Sequence, residues 1–272
     1  MSPARKHWLL VVQHTNRYVI RYRLCSVKAV DRGKAESLHT TWYETPLWSN
    51  MAKRSTSRRR RQPDVTRERL LQAGFKEIYR RGFQGASLDT ILDQAGVTKG
   101  ALYHHFPDKA ALGYAVVDEV VRDLLLQRWL GVLQAEPGDP VTALQGMLKH
   151  RMARLQPHEV ELGCPLNNLG QEMSPLDERF RRRVAATFET WTEGFAQVLQ
   201  QGQTEGSVRS DLDSRKLATF LVAAIEGSFG LAKSAQSPAM LRSNLEVLTD
   251  LLEWLRPPDQ VRKTRRRSSR TR

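Results

Sequence analysis

Residues Ser87 to Phe106 read SLDTILDQAGVTKGALYHHF, two short helices that meet at a tight turn. Leu88, Ile91, Leu92 and Ala95 fall at i, i+3, i+4 and i+7, which gives the first helix one apolar stripe. Ser87 is its expected N-cap, and Asp89 in the first turn favours the positive end of the helix dipole. Gly96 follows the last apolar residue, where a left-handed stop is needed. The chain restarts at once: Thr98 is an N-cap, with Val97 and Leu102 placed as a hydrophobic staple across it. The turn is therefore fixed from both sides, an arrangement that presents the second helix to a DNA groove.

That second helix is about seven residues long, too short to stand alone, and Lys99, Gly100, Tyr103, His104 and His105 fill its outward positions. Gly100 costs about 1 kcal/mol of helix propensity relative to alanine, which is reasonable where a backbone must approach another surface closely. Thr98, the first amides of the helix, Lys99 and Tyr103 suit phosphates and base edges. Adjacent histidines on a helix point about 100° apart, and no Cys, Asp or Glu completes a set around His104 and His105. No metal or cofactor is expected.

The longer stretch TILDQAGVTKGALYHHFPDKAAL resembles the N-terminal signature of the TetR/AcrR family of transcriptional regulators. Gly96, Val97, Thr98, Lys99, Gly100, Leu102, Tyr103, His105, Phe106, Lys109 and Leu112 occupy its characteristic positions. The resemblance implies that Ser87, Thr98, Lys99, Gly100, Ala101, Tyr103 and His104 meet DNA in and beside the major groove. By the same resemblance His105 and Lys109 add phosphate contacts, Leu102 and Phe106 are core, and the protein is a homodimer on a palindromic operator.

The chain has 272 residues and a net charge of +14, but that charge is unevenly spread. Residues 1–63 carry +11 and residues 258–272 carry +6, so the intervening 64–257 are −3. The arginine-rich runs Lys53 to Pro63 and Arg262 to Arg272 have the composition of flexible segments. The first could track phosphates beside the helix-turn-helix or be a solvated linker; the second is read as a solvated tail. A competing function follows from them, sequence-independent nucleic-acid binding through the tails. Residues 1–50 are aromatic-rich without helical period and are read as a short strand pair or as an upstream extension, since MAKRSTSRRRRQPDVTRERLLQAG from Met51 resembles the way family members begin. Trp8 to Val12 is too short for a signal-peptide core or a membrane span. Two cysteines 139 residues apart suggest no disulfide scaffold, and a cytoplasmic protein without membrane contact is expected. No G-x-S-x-G, H-E-x-x-H, Walker or Rossmann glycine pattern is present, so an enzyme is not expected.

Every periodic segment after residue 64 is helical, which predicts an all-α fold. A helix from Asp64 to Arg81, stopped by Gly82, completes a three-helix DNA-binding domain over 64–112 with the motif at 87–106. Residues 113–257 form a helical regulatory and dimerisation domain between extensions 1–63 and 258–272. Asp108 caps a long connecting helix, Asp139-Pro140 starts the next, and further helices cover Leu176 to Gln203, Asp213 to Gln236 and Pro238 to Arg256. Leu217, Phe220, Leu221, Ala224, Ser228 and Leu231, with Gly227 and Gly230, and the seam Leu241, Leu245, Leu248, Leu252 and Leu255 are the expected dimer interface. Packing within one chain explains the same stripes.

Gly163 to Arg181, GCPLNNLGQEMSPLDERFR, resembles a segment of the branch that includes the N-ethylmaleimide-responsive repressor, in which a cysteine here senses electrophiles or oxidants. Cys164 matches that cysteine, and Lys233 sits where the branch places a lysine. A lysine beside the thiol would lower its pKa. The plainer reading is a small buried hydrophobe. The other expected route of induction is an apolar or aromatic ligand in a pocket lined by Trp129, Met147, His150, Phe180, Phe188, Trp191 and Phe195, residues whose helical spacing also suits plain core.

Overall fold

The computed structural model describes residues 62–131, 133 and 139–258, and every regular element among them is helical. The readings of both basic tails lie outside the described residues, apart from their innermost positions. Helix α1 (Gln62–Gly85) is interrupted at Gly82, the expected stop, and its last three residues lie beyond the kink. The Gly82 φ of 74° and ψ of 169° are a conformation essentially reserved for glycine. Helices α2 (Leu88–Ala95) and α3 (Lys99–His105) follow. Leu70, Leu71, Phe75 and Ile78 of α1 bury against Ile91, Leu92, Ala95, Leu102 and Phe106. This is the core of a three-helix unit.

Asp108 caps α4 (Lys109–Ala115) by accepting from the Ala111 amide at 2.6 Å, and α4 continues through one π-helical stretch, Val116–Val121, into α5 (Arg122–Trp129). The connector is anchored to α1 where Arg67 makes two 2.6 Å contacts with Glu119. Asp139 and Pro140 open α6 (Pro140–Ala153) as expected. Two short helices not anticipated from the sequence come next, α7 (Pro157–Leu162) and α8 (Pro165–Met173), each with proline in its first turn. Long helices α9 (Glu178–Glu205) and α10 (Ser214–Ala235), then α11 (Pro238–Leu251) with a 3₁₀ turn at Leu252–Leu255, complete the regulatory layer.

The expected dimer seam requires correction. Leu241, Leu245, Leu248, Leu252 and Leu255 are buried within their own chain, as are Leu221 and Ser228. Of the expected interface, Phe220 and Leu231 on α10 stay outward, and Val247, Leu251 and Trp254 on α11 and its end, which were not expected, join them, each more than half exposed. Between Phe220 and Leu231, a Cβ added at Gly227 would meet nothing within 4 Å. Apolar length and composition alone would let α10 pass for a membrane span, yet it carries Glu226 and sits against α9 and α11.

Candidate nucleic-acid interface and regulatory core

The turn between α2 and α3 is built as the caps foretold. Ser87 Oγ accepts from the Thr90 amide at 3.4 Å and Thr98 Oγ1 from the Ala101 amide at 3.3 Å, while Gly96 takes the left-handed conformation with φ 62°. Each capping hydroxyl retains its own O–H for an external acceptor. Val97 is half-buried and Leu102 fully buried, so the staple seats α3 on the core. Thr98, Lys99, Gly100, Tyr103 and His104 are left facing outward on one short helix, with Tyr103 45% exposed despite its large ring. A Cβ at Gly100 would meet only Thr98 Oγ1, at 3.9 Å. Packing inside the chain therefore does not call for this glycine.

Three expected contact residues sit differently. Ala101 is half-buried, and His105, also half-buried, lies with its ring 6.4 Å from that of Phe106 and 5.1 Å from that of His104. Lys109 turns back into the protein: its Nζ donates to the Gln84 carbonyl at 3.1 Å and lies 5.0 Å from the centre of the Phe83 ring. One of its three N–H donors thus serves the joint between α1 and α2.

That joint, residues 82–87, is tied by side chains from distant parts of the chain. Glu77 Oε1 accepts from the Ser87 amide at 3.4 Å. Glu172, on α8, accepts from the Phe83 and Gln84 amides at 2.8 Å each. A Cβ at Gly82 would lie 2.7 Å from a Glu172 carboxylate oxygen and would push that side-chain end aside, while φ is what calls for glycine. The Phe83 ring inserts against Phe180, 4.6 Å between centres, over the bare face of Gly113.

Behind the joint lies a buried polar core. Glu159, 3% exposed, bridges Arg128 at 2.6 Å and Arg151 at 2.7 Å. Burial would raise its carboxyl, but the two guanidinium groups outweigh that and hold it below the usual carboxylate range. Arg151 also lies 5.9 Å from the Trp129 ring centre and 5.8 Å from that of Phe229. Trp129 stacks on Trp191 at 5.1 Å. Within this core Arg151 Nε, Trp191 Nε1 and both carboxyl oxygens of Glu226 are buried without a hydrogen-bond partner in bonding geometry. Burial raises the Glu226 carboxyl from 4.5 to about 7, although the Cys164 thiol and Arg128 pull it the other way.

Cys164 is buried at the N-cap of α8, and its expected activation by Lys233 is not what the structure has. Burial, then the charge of Glu226, push the thiol well above its ordinary range. Lys233 instead donates to Asn168 Oδ1 at 3.0 Å and lies along Gly163. Of the expected pocket residues, Trp129, Met147, Phe180, Trp191 and Phe195 are buried and Phe188 half-buried, whereas His150 faces outward. Sequence reasoning missed Glu226, although a single carboxylate inside the apolar run LVAAIEGSFGLA was a visible signal. Glu172 is the glutamate that closes the Gly-Cys-x-x-x-x-Leu-x-x-Glu pattern carrying the branch resemblance, but its role was not read from the sequence, because its partners lie 88 and 89 residues away.

Residues 70–116 match the family described as bacterial regulatory proteins, tetR family, and residues 140–248 match the tetracyclin repressor-like C-terminal domain. The HTH-type transcriptional repressor DhaR of Mycobacterium sp. (strain GP1) is 32% identical over 187 residues, covering 68% of this chain and 91% of DhaR. The chain belongs to the TetR family. Another TetR-family relative, the transcriptional regulator AcuR of Cereibacter sphaeroides, is 33% identical over 186 residues, 66% of this chain and 83% of AcuR. The crystal structure of reduced Escherichia coli NemR superposes with a TM-score of 0.62 at 27% identity, covering 68% of this chain and 95% of NemR. TetR-family membership makes the protein a helix-turn-helix transcriptional regulator, and α2–turn–α3 is the helix-turn-helix.

Proposed function

We propose that the protein is a homodimeric repressor of the cytoplasm that reads a palindromic operator with two copies of α3 and leaves it when a small molecule or a thiol-modifying agent acts on the regulatory core. The observation that carries this reading is the outward set Thr98, Lys99, Gly100, Tyr103 and His104 on a helix capped and stapled from both sides. Ser87 adds a second capping hydroxyl at the start of α2, and Ala101, His105 and Lys109 flank the surface. The net charge of −3 over residues 64–257 puts the weight of specificity on these few placed residues.

Two copies follow from the stripe Phe220, Leu231, Val247, Leu251 and Trp254, which in one chain leaves large apolar side chains in water. Pairing these stripes across a two-fold axis buries them and sets two α3 helices one DNA turn apart, about 34–36 Å. Release is supported by the buried core, where Glu226, Arg151 and Trp191 hold unused hydrogen-bonding capacity beside Trp129. Met147 and Phe188 belong to the same core, and the buried Cys164, without help from Lys233, is the site for the thiol route.

Selection of genomic fragments by the purified protein tests the operator reading. One enriched palindrome, protected over two half-sites, is the expected result; enrichment without symmetry, abolished by removing residues 1–61 and 259–272, would instead favour sequence-independent binding through the arginine tails.

A further inference from the structure

We propose that α8 is a strut that couples the regulatory core to the helix-turn-helix, with Glu172 as the positioning residue that sets the angle of α2 and α3. The two ends of this nine-residue helix do different work. At its N-terminus the cap is Cys164, next to Glu226, and the preceding Gly163 carbonyl accepts from the Tyr79 hydroxyl of α1 at 2.6 Å. Near its C-terminus, about 12 Å along the axis at 1.5 Å per residue, Glu172 holds the Phe83 and Gln84 amides. Leu166, Leu169 and Met173 bury the face between them.

The grip is specific. Just past the Gly82 kink the Phe83 and Gln84 amides both donate to Glu172, and a carboxylate accepts both at once. The same residues lead within three positions to Ser87, the cap of α2. A shift of α8 along its axis therefore cannot leave α2 where it was while Glu172 keeps its hold. Both bonds from α8 reach α1, so the message enters the DNA-binding unit through the kink at Gly82. Lys109, fastened to the Gln84 carbonyl, carries the same displacement into α4.

The coupling rests on the operator reading only for its consequence, and its test needs no DNA. In a Cys25→Ser background, hydrogen exchange at the Phe83 and Gln84 amides is followed before and after N-ethylmaleimide modifies Cys164, with amides of α9 as the control for global opening. Labelling is expected to speed exchange at these two amides about fivefold or more, the lower range of allosteric couplings, and to leave α9 unchanged. Glu172→Gln is expected to exchange fast from the start and to ignore the label; Tyr79→Phe, which removes only the other tie, is expected to blunt the response to it. If Cys164 resists labelling, Cys164→Trp supplies the same displacement. Unchanged protection at Phe83 and Gln84, or a Glu172→Gln protein that answers the label as the wild type does, would overturn the proposal. Absence of any selected palindrome would defeat the operator reading and leave this result standing.

Discussion

Gly82 carries more of the architecture than any of the residues expected to touch DNA, because the kink that brings Phe83 and Gln84 to Glu172 is made on it. Its backbone lies where other residues are strained, and the Glu172 carboxylate occupies the space a Cβ would take. Gly82→Ala should cost on the order of 1–3 kcal/mol in urea unfolding, and should weaken operator binding further than that loss explains. Glu226 supplies a pH signature. Its carboxyl titrates at about 7 when folded against 4.5 ordinarily, so the folded chain keeps a proton through that window which the unfolded chain has lost. Stability should be greatest below about pH 4.5 as far as this group is concerned, and should fall as pH rises towards 7, by on the order of 3 kcal/mol at most. Unfolding of Glu226→Gln at pH 5 and pH 8 checks it: the variant should show a smaller loss between the two than the wild type, and an equal loss would remove Glu226 as the cause.

At the scale of elements, what was legible in the sequence was local. Ser87, Gly96, Thr98, Asp108 and Asp139 act on amides or carbonyls a few residues away, so their chemistry could be read from spacing alone, and each caps where expected. Helices α7 and α8 escaped notice because six and nine residues hold too little period to register. Period also fails to say which surface a stripe meets. Leu241, Leu245 and Leu248 repeat as an interface would, yet they fill their own chain's core, and the stripe one step round the helix is the one left in water. The two stripes should respond differently to mutation. Leu245→Ala should cost about 2–5 kcal/mol of stability, as truncations in packed cores do. Leu251→Arg should leave the fold intact and yield monomers in sedimentation; a dimer that persists would place the interface elsewhere.

For the whole molecule, the +14 charge is a poor guide to what specifies the site, since the described body holds little of it. Specific and non-specific binding should separate by salt. Lys99→Ala should lower the salt slope by about one and weaken all sequences alike if the ammonium meets a phosphate, whereas Tyr103→Phe should act mainly on specific sequence. The most direct test is the ratio of affinities for the selected palindrome and a scrambled duplex at fixed salt, in the wild type and in the Lys99→Ala, Tyr103→Phe double variant. The wild type is predicted to discriminate by about a thousandfold or more and the double variant to lose most of that ratio. A double variant that discriminates as well as the wild type would contradict α3 as the reader of DNA.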